Sequence, residues 1–239
     1  MNFGDEITPL LLERLWGFNV TWASPDKCKL VGAGSIIEIL EKKSRKNEIH
    51  IWGSGFIKDG PNNTFDNLQF HAVRGVLSKE RVSGVKAIGD PGLLMSIAAP
   101  EYSNTSKKHK IGIIPHYVDA QNSFIKKLPD YINIIDALGH PLDVAKKINE
   151  CEVVFSSSLH GLIVSESYGI PNYWIKLSDK LTGGNYKFSD YSSSINKNIK
   201  IIDQNLILSK SSVDELIHEY RKSQLIEQIQ SDLIACFPL

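Results

Sequence analysis

The sequence predicts an α/β protein built as two doubly wound, parallel-sheet halves facing across a cleft. Short β-branched runs alternate with helical runs along most of the 239 residues, the pattern of βα units with parallel strands. Almost every apolar run ends in a turn of glycines, serines or an ionisable residue. A polar, linker-like stretch from Ala99 to Lys110 interrupts the rhythm. It divides the chain into an N-terminal domain over 1–100 and a C-terminal one over 108–205. A helix over 212–235 is expected to join the first domain and pack back across both.

The organising unit of the chain is Val153 to Pro171. Val153-Val154-Phe155 reads as a buried strand, Ser156-Ser157-Ser158 as a turn, and the run behind His160-Gly161 as a helix closed by Gly169 and Pro171. Ligands in open α/β sheets bind at such strand-to-helix junctions, where first-turn N–H groups favour an anion.

Before it, Thr8-Pro9 reads as a helix N-cap with proline in the first turn, followed by Leu10 to Trp16. Asn2, Gly4 and Asp5 then lie in a loop feeding that helix, where simple capping accounts for them as well as function does. Lys29 to Val31 is a strand running into Gly32-Ala33-Gly34-Ser35, with a helix over Ile36 to Lys43. Glu48 to Trp52 repeats the pattern into Gly53-Ser54-Gly55. Glycines there permit close backbone approach and expose amide donors. Asp59-Gly60-Pro61-Asn62-Asn63 is an exposed loop. Gln69 to Val73 is a strand ending at Arg74, whose planar fork suits carboxylate or phosphate, or a surface ion pair. Ser78 to Val82 reads as a short charged helix. Val85 to Ile88 leads to Gly89-Asp90-Pro91, where Asp90 either carries chemistry or caps the next turn.

In the second half, strands over Lys110–Pro115 and Tyr131–Ile135 end at His116 and Asp136, and Pro141 to Ile148 is helical. Asn172 to Leu177 is a further strand. Gly183 to Tyr191 reads as a loop entering a short helix. Ser212 and Glu215 form a capping box for the last helix.

Composition excludes several classes. Lys plus Arg and Asp plus Glu are 27 each, so no global field recruits nucleic acid or anionic lipid. Cys28, Cys151 and Cys236 are too scattered for a metal site and read as free thiols of a reducing cytoplasm. No stretch has the length of a membrane span, and the N-terminus lacks a leader's basic and apolar regions. A cytoplasmic protein is expected, with peripheral membrane contact left open. HExxH, paired CxxC, a Walker lysine and a Gly-x-Ser-x-Gly elbow are all missing. What remains is one arginine, two histidines, carboxylates and many hydroxyl or amide donors at strand ends. That set suits an anionic donor and proton transfer without a metal.

In this ordered set the chain resembles the polysaccharide pyruvyl transferase family. The resemblance rests on Asn2-Phe3-Gly4-Asp5, the two glycine turns, Val73-Arg74-Gly75, Gly89-Asp90-Pro91, Pro115-His116-Tyr117, Ser156 to Gly161 and Gly169-Ile170-Pro171. It implies a GT-B-like fold with the acceptor on the N-terminal side and the donor on the C-terminal side. It also implies transfer of the pyruvyl group of phosphoenolpyruvate onto two hydroxyls of a glycan or lipid-linked saccharide in exopolysaccharide synthesis. The product is a pyruvate ketal with release of phosphate, without cofactor.

On that resemblance, His160 is the expected general acid or base and Arg74 the holder of phosphate or carboxylate. His116 is a second proton-transfer or phosphate-contact candidate. Ser157, Ser158, Leu159 and Gly161 with Gly53, Ser54 and Gly55 form the anion cradle. Gly34 and Ser35 line the substrate, while Asn2, Gly4, Asp5 and Asp90 serve the acceptor. Some family members carry arginine where this chain has Ser158. The family's opening strand before Asn2 is also missing here, which implies a first sheet one strand short or a truncated start. The alternatives are a GT-B glycosyltransferase, with Glu166 as a ribose-binding carboxylate, and a catalytically inert glycan-binding module.

Overall fold

The computed structural model describes residues 2–25, 27–41, 47–62, 65–180 and 183–238. The chain forms two compact units, each with its own parallel sheet. The N-sheet unit comprises Ile7–Leu93, Thr182–Asn198 and Gln224–Leu239; the C-sheet unit comprises Met1–Glu6, Leu94–Leu181 and Ile199–Ser223. The division thus falls at Leu93/Leu94, ahead of the stretch read as a linker. Residues 95–102 carry the helix α4 (Met95–Ala98) and a 3-10 turn over Pro100–Tyr102.

In the N-sheet unit, β1 (Leu30–Val31), β2 (Ile49–Trp52), β3 (Leu68–Val73) and β4 (Ala87–Ile88) pair in the order β1-β2-β3-β4, all parallel. Val31, Ile49, Ile51, Phe70 and Val73 form its core with Ile37 and Leu40 of α2 (Ile37–Glu41). The predicted end of that helix at Lys43, like Asn63 of the following loop, lies outside the described residues. Trp52 is fully buried, and its indole N–H donates to the Leu233 carbonyl of α10 (Ile226–Ala235) at 2.9 Å. This sheet is not doubly wound: its strands follow one another without a reversal.

The C-sheet unit holds β5 (His109–Ile114), β6 (Ile132–Ile134), β7 (Cys151–Ser156), β8 (Asn172–Ile175) and β9 (Ile201–Ile202), in the order β6-β5-β7-β8-β9. Here the winding does reverse. The chain steps from β5 outward to β6, then returns to β7 on the other side of β5. The two middle strands run in register from His109 opposite Cys151 to Ile114 opposite Ser156. Ile111, Ile113, Val153 and Phe155 supply the centre of the core. The helix α7 (Leu159–Tyr168) is buried on nearly all sides, so its apolar residues show no single stripe. Gly169 ends it in the left-handed region at φ 72°, a conformation glycine adopts without steric cost.

Three helix boundaries depart from the pattern read in the sequence. The first helix, α1, runs Phe3–Trp16 with Pro9 inside it, and Asn2 caps it by accepting the Gly4 N–H at 3.1 Å. Thr8 does not cap; its hydroxyl accepts the Ala33 N–H at 2.8 Å. α3 spans Val76–Lys79, two residues before the expected start. The long C-terminal helix is two helices, α9 (Lys210–Glu219) capped by Ser209, and α10; the first belongs to the C-sheet unit and the second to the N-sheet unit. Of the remaining helices, α5 is Ser123–Lys126, α6 Pro141–Asn149 and α8 Tyr186–Ser194.

Candidate active site

The reversal between β5 and β7 is a topological switch point, where the loops leaving adjacent carboxyl ends diverge and open a crevice. His116 follows β5. Ser157, Ser158 and then His160 on the first turn of α7 follow β7. The backbone geometry that gathers them is local. Ser156 Oγ accepts the Ser158 N–H at 3.0 Å and lies 3.0 Å from the Ile114 carbonyl, locking the turn onto β5. A Cβ on Gly161 would fall 2.3 Å from Ser156 Oγ, so only glycine lets α7 sit this close to the strand.

His160 is buried, 8% exposed, and its imidazole packs on the start of α1. A Cβ on Gly4 would lie 2.0 Å from His160 Nδ1. Phe3 closes the other side, edge-on, with ring centroids 6.3 Å apart, and its N–H donates to the Ala137 carbonyl at 2.8 Å. Asn2 and Gly4 therefore fix the position of the imidazole: one caps the helix, the other gives the ring room. Asp5 is solvent-exposed in the same turn.

His116 is half-buried, and its own Nδ1 accepts the Val118 N–H at 3.4 Å. Its backbone N–H donates to Ser157 Oγ at 2.8 Å, and Ser157 in turn donates to Asp119 at 3.2 Å. Asp119 is 2% exposed and also accepts from Ser178 Oγ at 2.5 Å, while Asn122 Nδ2 donates to the Leu177 carbonyl at 2.7 Å. One buried carboxylate thus ties together the loops leaving β5, β7 and β8. The sequence analysis missed Asp119 and Ser178; the only available signal was an acidic residue three positions after a motif histidine.

The remaining candidates belong to the N-sheet unit and bond mainly to one another. Ser54 Oγ donates to the Gly34 carbonyl at 2.9 Å and accepts the Ile36 N–H at 3.2 Å. Gly55 N–H donates to the same Gly34 carbonyl at 3.0 Å. At Gly53, φ is 91° and a Cβ would meet Pro91 at 2.2 Å.

Arg74 is engaged inside the unit. Its guanidinium is fully buried and donates to Asp190 at 2.9 Å, to Ser35 Oγ at 2.5 Å and to the Phe56 carbonyl at 2.5 Å. Asp190 also accepts the Ser78 N–H at 2.8 Å and the Ser78 hydroxyl at 2.6 Å. The fork offered to phosphate or carboxylate instead anchors α8 to the sheet.

Asp90 is likewise a structural residue. It is fully buried, accepts the Gly92 N–H at 2.9 Å, and caps the turn Pro91–Leu94. Burial pushes its carboxyl up to about 6, opposed by that hydrogen bond and by the charge of Arg74. Glu166, the ribose-binding candidate of the glycosyltransferase alternative, is 1% exposed. It accepts from Tyr220 Oη at 2.6 Å, Asn172 Nδ2 at 3.1 Å and Ser223 N–H at 2.8 Å, all within the C-sheet unit. Among the described residues no group of three His, Cys, Asp or Glu is arranged to hold a metal, and no helix is long and apolar enough to cross a membrane. Cys28, Cys151 and Cys236 form no disulfide among the described residues, and burial raises the Cys151 thiol to about 11.

Parallel sheets flanked by helices in both units place the chain in the α/β class, whose open sheets bind ligands at strand ends. The chain belongs, more closely, to the polysaccharide pyruvyl transferase family, whose model matches residues 2–179. It is 29% identical over 205 residues to the uncharacterized protein L143 of Acanthamoeba polyphaga mimivirus, covering 81% of this chain and 70% of that one. It is 27% identical over 203 residues to the succinoglycan biosynthesis protein ExoV of Rhizobium meliloti (strain 1021), covering 81% of this chain and 61% of that one. The chain therefore spans less than two thirds of the length of ExoV. No solved structure matches it.

Proposed function

We propose that the protein is a transferase that moves the enolpyruvyl group of phosphoenolpyruvate onto two hydroxyls of a glycan or lipid-linked saccharide. The observation that carries this reading is His160, held against the Gly4 backbone on the first turn of α7 at the switch point. Family membership and the likeness to a succinoglycan biosynthesis protein support it.

In this mechanism the His160 imidazolium protonates the methylene carbon of the donor while its neighbour gains cationic character. A saccharide hydroxyl attacks that neighbouring, phosphate-bearing carbon and returns its proton to the imidazole. The second hydroxyl then displaces phosphate, which carries away the remaining proton, and the cyclic ketal closes. Such positioned proton transfer contributes about 10²–10⁴-fold. The first-turn amides of α7 supply positive partial charge for the donor's anionic groups. His116 is the second proton-transfer or phosphate-contact group. Arg74, turned into the fold, acts by positioning α8 and the Ser35 turn. A GT-B-like pairing of the units, with Asn2, Asp5 and the glycine turns on the acceptor path, belongs to the same proposal. So does action in the cytoplasm, with the donor as a substrate and no cofactor.

Phosphoenolpyruvate is expected to raise the melting temperature where UDP-sugars do not, and phosphate release is expected to need a glycan acceptor. His160→Gln is expected to lower phosphate release at least about 10³-fold with the melting temperature kept within a few degrees. Near-normal turnover in that variant, or stabilisation by a nucleotide sugar alone, overturns the proposal.

A further inference from the structure

A second concavity, of about 480 Å³, lies wholly within the N-sheet unit, in the size range of small-molecule sites. Three elements wall it. The loop after β2 contributes Asp59 and Asn62, the end of α3 contributes Glu80 and Arg81, and α8 contributes Tyr186 and Ser189. The last two are three residues apart and so share one helix face.

The floor is built. Arg81 is 6% exposed and lies over the Phe56 ring at 3.5 Å. Its Nη1 donates to the Lys58 carbonyl at 2.8 Å and its Nε to the Pro61 carbonyl at 3.2 Å, which pins the loop. A Cβ on Gly60 would come within 2.9 Å of Nη2, so glycine sets how closely the loop approaches. The Tyr186 hydroxyl is buried beside the Arg81 guanidinium without a well-formed hydrogen bond. A ligand hydroxyl would supply the partner that such a buried group lacks.

The charges choose the ligand. Two carboxylates face one guanidinium, so an anion such as phosphate is disfavoured. A neutral polyol finds acceptors in Asp59 and Glu80, both donor and acceptor in Asn62 and Ser189, and an aromatic face in Tyr186. We propose that this pocket binds one ring of a neutral saccharide through its hydroxyls. The assignment to the acceptor saccharide rests on the transferase reading above; binding of a sugar here does not.

Saturation-transfer NMR on the full chain with methyl β-galactopyranoside and methyl α-glucopyranoside tests it, with inorganic phosphate as the anionic control. Saturation transfer to at least one glycoside is expected, undiminished by added phosphate. Asp59→Asn/Glu80→Gln is expected to weaken the glycoside about tenfold or more, since both carboxylates lie on the surface and charge-assisted bonds are lost. Tyr186→Phe, which keeps the ring, should weaken it severalfold. No transfer to either glycoside, unaltered binding in the double variant, or phosphate competing for the pocket overturns the proposal. Thermal shift by phosphoenolpyruvate on the same samples reports separately on the transferase reading: its loss with glycoside binding retained leaves the pocket standing.

Discussion

The two sheets each present polar residues at their carboxyl ends, and they use them differently. At the ends of β1 to β4 the serines, the arginine and the aspartate are engaged within the unit: Ser54 with Gly34, Arg74 with Asp190, Asp90 with Gly92. At the ends of β5 and β7 the winding reverses, and an imidazole packs against a glycine backbone. A strand-end turn is therefore a place where chemistry can be put, and topology decides whether it is. The sequential sheet has no reversal to open a crevice, so its strand-end polar groups close the fold.

The strongest way to break this contrast is the buried ion pair. Asp190→Ala leaves the Arg74 guanidinium uncompensated and is expected to cost about 3–5 kcal/mol in urea unfolding. Arg74→Met with Asp190→Leu should recover most of that loss. If Asp190→Ala unfolds normally but fails to bind phosphoenolpyruvate, the arginine serves a ligand and the contrast collapses.

On the other sheet, Gly4→Ala forces His160 aside, and a misplacement near 1 Å costs on the order of 10²-fold in turnover. Phosphate-release kinetics check it, and a variant within twofold of the parent would show that the imidazole's position is unimportant.

The smallest effect belongs to Asp90. Its carboxyl titrates near 6 when folded and in the ordinary aspartate range near 3.8 when unfolded. The folded state holds the proton more tightly, so stability falls as pH rises from about 4 to about 6 and is level above. Asp90→Asn should flatten that fall relative to the parent by about 3 kcal/mol, read as urea midpoints across the window.

What the sequence made legible follows from locality. The strand over Val153–Phe155 and the stop at Gly169-Ile170-Pro171 are fixed by neighbours in the chain, and the structure reproduces them, with Ser156 ending the strand and the turn beginning at Ser157. Long-range partners are not written in any window. Thr8-Pro9 carries the local signature of a helix start, yet the Thr8 hydroxyl serves Ala33 and the helix runs back to Phe3. The apolar face through Val213, Leu216, Ile217 and Tyr220 predicts a continuing helix. It breaks there because Tyr220 Oη and the Ser223 N–H both reach Glu166. Arg74 reads as a ligand clamp until its partner 116 residues downstream is known. Of the site, His160 and its serine turn were legible, whereas the Gly4 contact and the Asp119 tie were not.

Neither unit is a continuous stretch of chain, since each is assembled from three segments. On the ribosome, β3 emerges with its guanidinium long before the helix bearing Asp190 has been translated. The first sheet then carries a charge it cannot bury until the later segment bearing Asp190 is made, and α10, which takes the Trp52 indole bond, follows later still. Completion of the earlier-made sheet thus waits on segments far downstream of its own strands.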